Sequence, residues 1–289
     1  MYRLGIIKFN APQLSSWRLE DIENMQSPKQ SWNAVDYAKN SLAQLAWARE
    51  LMEKLLLRGN ESLLDIGCGD GKITAQLASA TTGYVLGIDS SSGMIQIASE
   101  KFSDTNYPNL SFAQMDAADI QLSEKFDVAF SNAALHWIGD HVAVLRGTRA
   151  CLKSGGRILF QMGGRGNAYE MFDAVREVIQ QTQWQNYYEE FASPYHFFGP
   201  EEYHTWLSQC GFNSVRIELI PKDMQHDSKE GLLGWLRTTW FPYTDRLPVE
   251  LRDTFLEEVV ETYTATHPMS VHGDTHVKMV RLEVEAYAL

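Results

Sequence analysis

From residue 62 onward, short apolar runs alternate with stretches in which apolar residues recur at every third or fourth position. Ser62 to Ile66, Tyr84 to Ile88, Leu110 to Gln114, Phe126 to Phe130 and Gly156 to Gln161 are the candidate strands. Between them, Ile73 with Leu77, Met94 with Ile97 and Ala98, and Val142 with Leu145 and Leu152 mark helices with one apolar face each. An earlier helix is predicted from Val35, with Leu42, Leu45, Ala48, Met52 and Leu55 on its face and Gly59 as its stop. Strand, helix, strand, helix is the pattern of a parallel sheet covered on both sides. The largely apolar run Phe126-Asp127-Val128-Ala129-Phe130 suits a strand buried on both faces. Later segments alternate instead, Val215, Ile217 and Leu219 and then Val280, Leu282 and Val284, which predicts two antiparallel edge strands. The expected fold is therefore α/β, a doubly wound, mostly parallel seven-stranded sheet.

Two long excursions interrupt the alternation. Asn167 to Pro200 holds a helix with Met171, Phe172, Val175, Val178 and Ile179 on one face, and then the aromatic stretch Trp184 to Phe198. Asp227 to Thr275 holds two helical patterns, Leu232 to Trp240 and Val249 to Tyr263, the second with Leu251, Phe255 and Val259 on one stripe. Excursions of this length between strands tend to form caps over a cleft. The chain divides accordingly into an irregular leader (1–34), a ligand-binding core (35–166), a first cap insertion (167–200), a continuation of the core (201–226), a second, helical cap (227–275) and a final core strand (276–289).

Composition narrows the partners. Twenty-five Lys and Arg against 37 Asp and Glu leave a net charge of −12 over 289 residues, so nucleic acid and membrane are set aside. Cys68, Cys151 and Cys210 include no C-x-x-C pair and fit neither a disulfide framework nor a cysteine zinc site. Met1 to Asn10 places only four apolar residues between Arg3 and Lys8, too few for a signal sequence or a span. A cytoplasmic protein is expected, with a monomer as the default. His272-x-x-x-His276 has metal-like spacing, but Gly273 breaks the helix that would align the rings, so the segment is assigned to a loop and no metal is expected. Asp70, Asp140 and His141 are assigned to polar loops near the cleft mouth.

The chemistry concentrates where the first strand meets its helix. Leu63-Leu64-Asp65-Ile66-Gly67-Cys68-Gly69-Asp70-Gly71 places glycines at alternate positions, where positive φ and close approach of a ligand are available. The spacing is not the G-x-G-x-x-G that brings a helix N-terminus to a pyrophosphate, and Asp65 would repel one. A cationic or zwitterionic ligand suits the turn better. Asp89 ends the second strand, 24 residues after Asp65, where a carboxylate can accept both ribose hydroxyls. Asp116-Ala117 follows the third strand and places an acid where an adenine amino group could donate to it.

These residues resemble the class I S-adenosylmethionine-dependent methyltransferases. Asp65-Ile66-Gly67-Cys68-Gly69 is similar to that family's glycine motif, Gly87-Ile88-Asp89 with Ser90 and Met94 to its ribose and adenine motif, and Asp116-Ala117 to its third. Within the family, Ser131-Asn132-Ala133-Ala134-Leu135-His136-Trp137 resembles the trans-aconitate, malonyl-carrier-protein and juvenile-hormone-acid methyltransferases, which act on carboxylates. Trp32, Tyr37 and Gln44 resemble the N-terminal helix of the trans-aconitate enzymes, although Gln44 stands where they carry an arginine. Trp235, Thr238 and Pro242, and then Gly273 with Arg281, resemble their cap and last strand.

The resemblance implies a Rossmann-like methyltransferase fold whose 35–166 core binds S-adenosyl-L-methionine and releases S-adenosyl-L-homocysteine. The donor would be bound by Tyr37, Gln44, Asp65, Gly67, Cys68, Gly69, Asp89, Ser90, Met94, Asp116, Ala117 and Asn132. Trp32, His136, Trp137, Arg165, Trp235 and Arg281 would bind a small-molecule acceptor, most simply a carboxylate. A carboxylate needs no general base, whereas a phenol or amine does, and His136 is the candidate for that role. Arg165, Arg237 and Arg281 at the rims could fork onto a carboxylate. Trp137, Trp184, Tyr187, Tyr188, Tyr195, Phe197, Phe198, Trp235 and Trp240, gathered in and near the insertions, point to an apolar acceptor pocket. A nicotinamide-dependent oxidoreductase on the same fold and a non-catalytic nucleoside-binding module are the alternatives.

Overall fold

The computed structural model describes residues 42–289, so the leader, Trp32 and Tyr37 lie outside the described residues. Its first helix, α1 (Leu42–Glu53), buries Trp47, Ala48 and Leu51, with Leu55 in the turn that follows. Ala48 and Leu55 of the expected face are buried and Met52 packs against the core around Leu51, and Trp47 is buried beside them. Then β1 (Leu63–Ile66), α2 (Lys72–Ser79), β2 (Val85–Asp89), α3 (Ser92–Lys101), β3 (Leu110–Gln114) and β4 (Phe126–Asn132) alternate as the sequence pattern requires. A 3-10 turn (Leu135–Trp137), α4 (His141–Cys151), β5 (Leu152–Gly163), α5 (Tyr169–Ile179), α6 (Pro200–Gln209) and β6 (Phe212–His226) follow. The last elements are α7 (Lys229–Thr239), α8 (Phe241–Thr244), α9 (Val249–Thr266) and β7 (Thr275–Ala288).

The seven strands form one sheet in the order β3-β2-β1-β4-β5-β7-β6. β1 pairs in parallel with both β2 and β4, so the chain reverses its direction of travel across the sheet between them. A crevice at the carboxyl ends of such strands is where open α/β sheets bind ligands. The two late strands pair antiparallel with each other, but β7 lies inside the sheet, antiparallel to β5 as well, and only β6 is an edge.

Three local expectations are corrected. Leu152 does not extend the face of α4; it opens β5 opposite Phe126, ahead of a register shift. His276 is not in a loop but in β7, where its Nδ1 lies 2.7 Å from Asp223 Oδ2 across the strand pair. Of the three residues assigned to polar loops, Asp140 caps α4 by accepting from the Ala143 N–H, and His141 is a buried residue of that helix. Its Nε2–H donates to the Leu135 carbonyl at 2.8 Å and its Nδ1 accepts from the Tyr203 hydroxyl at 2.7 Å. Burial holds this imidazole near pKa 4, and therefore neutral.

β6 and β7 run past the end of β5 as a two-stranded arm. Beyond the pair Gly163↔Arg281, β7 has β6 as its only strand partner, out to His226↔Thr275, while Val280 accepts from the Gly164 N–H and donates to Asn167 Oδ1, and the His276 carbonyl accepts from the Tyr263 hydroxyl. On the arm's inner face, Met224, Val277 and Met279 pack into one apolar cluster with Met171 and Val175 of α5, Leu232 and Trp235 of α7, and Phe255 and Val259 of α9. The cap helices are held by this arm.

Where the arm joins the sheet, one face of β7 is polar. Glu283, with its side chain fully buried, accepts from Lys54 at 2.8 Å, from Gln161 at 2.9 Å and from Arg216 at 2.5 Å. Burial works against its ionisation, but these donors bring its pKa below the ordinary carboxylate value. The stabilisation is therefore complete above the unfolded carboxyl pKa and is lost as pH falls through the lower folded value. Glu283→Ala is expected to cost about 3 kcal/mol in urea unfolding at neutral pH, the low end for breaking a buried pair because Lys54 and Arg216 reach solvent. Wild type should lose that margin in acid while Glu283→Gln shows a flatter acid limb.

Candidate active site

The turn after β1 is held on the sheet by its own backbone. The N–H groups of Gly67 and Cys68 both donate to the Ile88 carbonyl at the end of β2, at 2.8 and 3.0 Å. Gly67 and Gly69 have φ of 75° and 53°, in the left-handed region that favours glycine. A Cβ at Gly67 would lie 2.2 Å from the Ala134 Cβ, whereas one at Gly69 would meet nothing within 4 Å. The first glycine lets two loops touch; the second faces open space.

Asp89, at the end of β2, is partly exposed beside that space. Its Oδ2 accepts from the Gly69 N–H at 3.0 Å and its Oδ1 from the Ser91 N–H at 2.9 Å, which aims the carboxylate without neutralising it. Ser90 is exposed and Met94 partly buried just beyond. Asp116 is exposed after β3, its Oδ1 taken by the Ala118 N–H, and Ala117 is buried beside it. Asp65 is placed differently. It is only 2% exposed, and its Oδ2 accepts from Thr74 at 2.7 Å, so it ties β1 to α2. Burial raises its pKa to about 7, opposed by the Thr74 hydrogen bond and helped by the charge of Asp89. The Asp89 carboxylate thus stands beside the open glycine, with Asp65 buried behind it, which suits a cationic nucleoside and disfavours a pyrophosphate.

The second half of the site begins where β4 ends. Ser131 donates to the Ile66 carbonyl at 2.7 Å, which fixes the ends of β1 and β4 together. Asn132 is the last residue of β4, and Ala133 then adopts a left-handed φ of 56°, its N–H donating to Gln161. The chain next enters the 3-10 turn that carries His136 and Trp137. The Gly163 N–H donates to His136 Nδ1 at 3.4 Å, so the proton of the neutral ring is on Nε2. Desolvation, followed by the nearby charge of Arg281, pushes the His136 pKa down to about 3. The ring is neutral at physiological pH and a poor proton acceptor. His141 fixes this turn through Leu135, a support with no signal in the sequence beyond the residue itself.

Arg281 lies opposite Gly163 in the β5–β7 ladder, and its side chain is 3% exposed. Its guanidinium sits 4.7 Å over the ring of Trp47, and Nε has no hydrogen-bond partner. Burial alone lowers its pKa, to about 10, so it remains charged at neutral pH. The other two rim arginines are engaged. Arg165 is half-exposed and bonded to Glu201 and Glu202, and Arg237 is bonded to Glu230 and Asp253. Trp235 is buried in the cap core against His226, two rings removed from His136 through Trp240 and Tyr195. Gln44 falls within α1. The structure therefore gathers Gly67, Gly69, Asp89, Asn132, His136 and Arg281 along the carboxyl edge and leaves Arg165 and Trp235 outside that group.

Comparison with known proteins decides the family. A model described as a methyltransferase domain matches residues 57–211, more than half of the chain. The chain belongs to the methyltransferase domain family. As a methyltransferase it is an S-adenosylmethionine-dependent enzyme, and the oxidoreductase alternative falls away. It is 31% identical over 231 residues to a trans-aconitate 2-methyltransferase of Deinococcus radiodurans, covering 75% of this chain and 84% of the relative. Among solved structures, the YcgJ protein of Bacillus subtilis superposes with a TM-score of 0.56 at 18% identity, covering 84% of this chain and 98% of that one. A Haemonchus contortus phosphoethanolamine N-methyltransferase 2, in complex with S-adenosyl-L-methionine, gives 0.53 at 20% identity, covering 84% of this chain and 52% of that longer one. Among the described residues of the methyltransferase, no helix is long and apolar enough to cross a membrane.

The Gly67–Ala134 contact gives a direct test. Gly67→Ala adds an overlap costing about 1–3 kcal/mol and about 1 kcal/mol of left-handed strain, so S-adenosylhomocysteine affinity should fall about 100-fold in calorimetry. Adding Ala134→Gly should recover the overlap part only. A second test concerns His136. Imidazole NMR resonances should show no titration midpoint for this ring between pH 5 and 8.

Proposed function

We propose that this methyltransferase transfers the methyl group of S-adenosylmethionine to a carboxylate oxygen of a small molecule. Arg281 carries the reading. It is a buried, charged guanidinium with no carboxylate partner among the described residues. A charge buried in that way is costly until an anion meets it, and a carboxylate matches the guanidinium fork. The similarity to a trans-aconitate 2-methyltransferase supports the same acceptor group.

On the donor side, Asp89 would accept the ribose hydroxyls, Asp116 and Ala117 would border the adenine with Ser90 and Met94, and Gly67, Cys68 and Gly69 would give the methionine portion room. When bound, the donor supplies a methyl group on a positively charged sulfur, and loss of that methyl leaves a neutral thioether. An ionised carboxylate accepts a methyl to give a neutral ester with no proton to remove. That agrees with the state of His136, which offers its Nε2–H as a donor to a bound oxygen and has no need to act as a base. Arg281 and His136 would hold one end of the acceptor, and the packed loops at Gly67 and Ala134 would set its approach. Positioning of this kind can contribute about 7–11 kcal/mol to the rate.

Labelled-methyl transfer across small acids, phenols and amines tests the reading, and the product should be a base-labile ester. Arg281→Met should raise KM for the acid by about 30-fold or more while leaving S-adenosylhomocysteine affinity unchanged. The same substitution should stabilise the free protein by roughly 1 kcal/mol, since an uncompensated buried charge is replaced by a thioether. Asp89→Ala should weaken S-adenosylhomocysteine by about 100-fold, the loss of two hydrogen bonds to a charged group. Transfer to amines alone, or an unchanged KM in Arg281→Met, would rule out the carboxylate assignment.

A further inference from the structure

We propose that the acceptor is a monocarboxylate with an apolar body about the size of a ring, its carboxylate on Arg281 and its body against Phe197, Tyr195 and Trp137. This rests on the carboxylate reading above and adds what the remainder of the molecule is made of.

The distribution of positive charge among the described residues favours an acceptor with one anionic group. Among the described residues of the cap and its rim, Arg165, Arg176, Arg237 and Arg252 are each ion-paired within the protein, and Lys222 and Lys278 are held by Glu50 and Glu170. Arg246 donates to the Tyr187 carbonyl and lies over the ring of Phe191. Arg281 has no such partner. Lys229, exposed at the start of α7, and Arg246 also lack a carboxylate partner among the described residues, but neither makes a ring or hydrogen-bond contact with His136, Tyr195 or Phe197. A second carboxylate beside Arg281 would therefore meet no described cation there, in a chain whose net charge is already −12.

The surroundings of Arg281 are aromatic. Directly opposed residues of an antiparallel pair project to the same face of the sheet, so whatever lies over Gly163 lies beside the Arg281 side chain. What lies over Gly163 is Phe197, since a Cβ there would come within 2.7 Å of its ring. Phe197 stacks on Tyr195, with centroids 5.9 Å apart and planes 6° from parallel, and His136 adjoins both rings at 6.1 and 6.2 Å. Trp137 continues the wall at 4.6 Å from Tyr195 and stacks on Phe241 at 5.4 Å, yet it remains 38% exposed. The one hydroxyl on these rings is turned away, since Tyr195 donates to the Thr239 carbonyl at 2.7 Å. The wall next to the cation thus presents ring faces and edges, with His136 Nε2–H and the indole N–H of the half-exposed Trp137 as its side-chain donors. Such a surface favours an apolar body.

Calorimetry on the full chain saturated with S-adenosylhomocysteine tests this with cinnamate, octanoate, succinate, propane-1,2,3-tricarboxylate and phenethylamine as probes. Cinnamate and octanoate should bind about 30-fold tighter than succinate or the tricarboxylate, as expected from burying a ring's worth of apolar surface. Phe197→Leu should weaken cinnamate more than octanoate, with succinate unmoved and donor affinity retained. Tighter binding of succinate or the tricarboxylate would overturn the apolar body while leaving the carboxylate reading intact. Binding of phenethylamine in preference to every acid would remove both.

Discussion

Glu283 can satisfy only a limited number of donors, and the sheet directs all of them away from Arg281. Lys54, Gln161 and Arg216 occupy both of its oxygens. Arg281, two residues earlier on the same face of β7, is therefore left without the neighbour that would otherwise neutralise it. The local charge arrangement leaves Arg281 buried with no carboxylate partner among the described residues.

Polarity changes sign across the crevice. The Asp89 carboxylate stands beside Gly69, and a guanidinium and a neutral imidazole stand beyond Ala134. Under the proposed function a sulfonium would sit on the first side and a carboxylate on the second, and the two halves meet where Gly67 approaches Ala134. The contact is available because Gly67 lacks a side chain and because the Ser131 hydroxyl ties β4 to the end of β1. His136 stays neutral in this setting because it is desolvated beside a positive charge.

The glycine turn after β1 and the acid at the end of β2 were legible in the sequence because they are local. Glycines at alternate positions, an acid before them and an acid at the next strand end occupy short, contiguous stretches whose spacing follows from strand and turn geometry. The sheet was legible for the same reason, down to the alternation of its late strands, although periodicity alone did not put β7 inside the sheet. The surroundings of Arg281, where the acceptor is proposed to bind, depend on contacts between distant segments. Nothing near Arg281 in sequence tells that Trp47 covers it, that Glu283 is already saturated, or that Gly163 makes room for Phe197. His141 looked like an exposed polar residue, because its burial depends on Tyr203 from a helix some sixty positions later. Arg165, Arg237 and Arg281 were equivalent as letters, and only the partners of the first two tell them apart.

The arm has a consequence for how such enzymes diversify. The chain leaves the sheet at His226 and re-enters at Thr275, and these two residues face each other across a single rung of the ladder. Closing a loop between adjacent points costs little more as the loop lengthens. Polypeptide grafted between them could be exchanged wholesale while the nucleoside end of the scaffold stays as it is. One catalytic chassis could in that way be refitted for new acceptors by swapping what hangs from a hairpin.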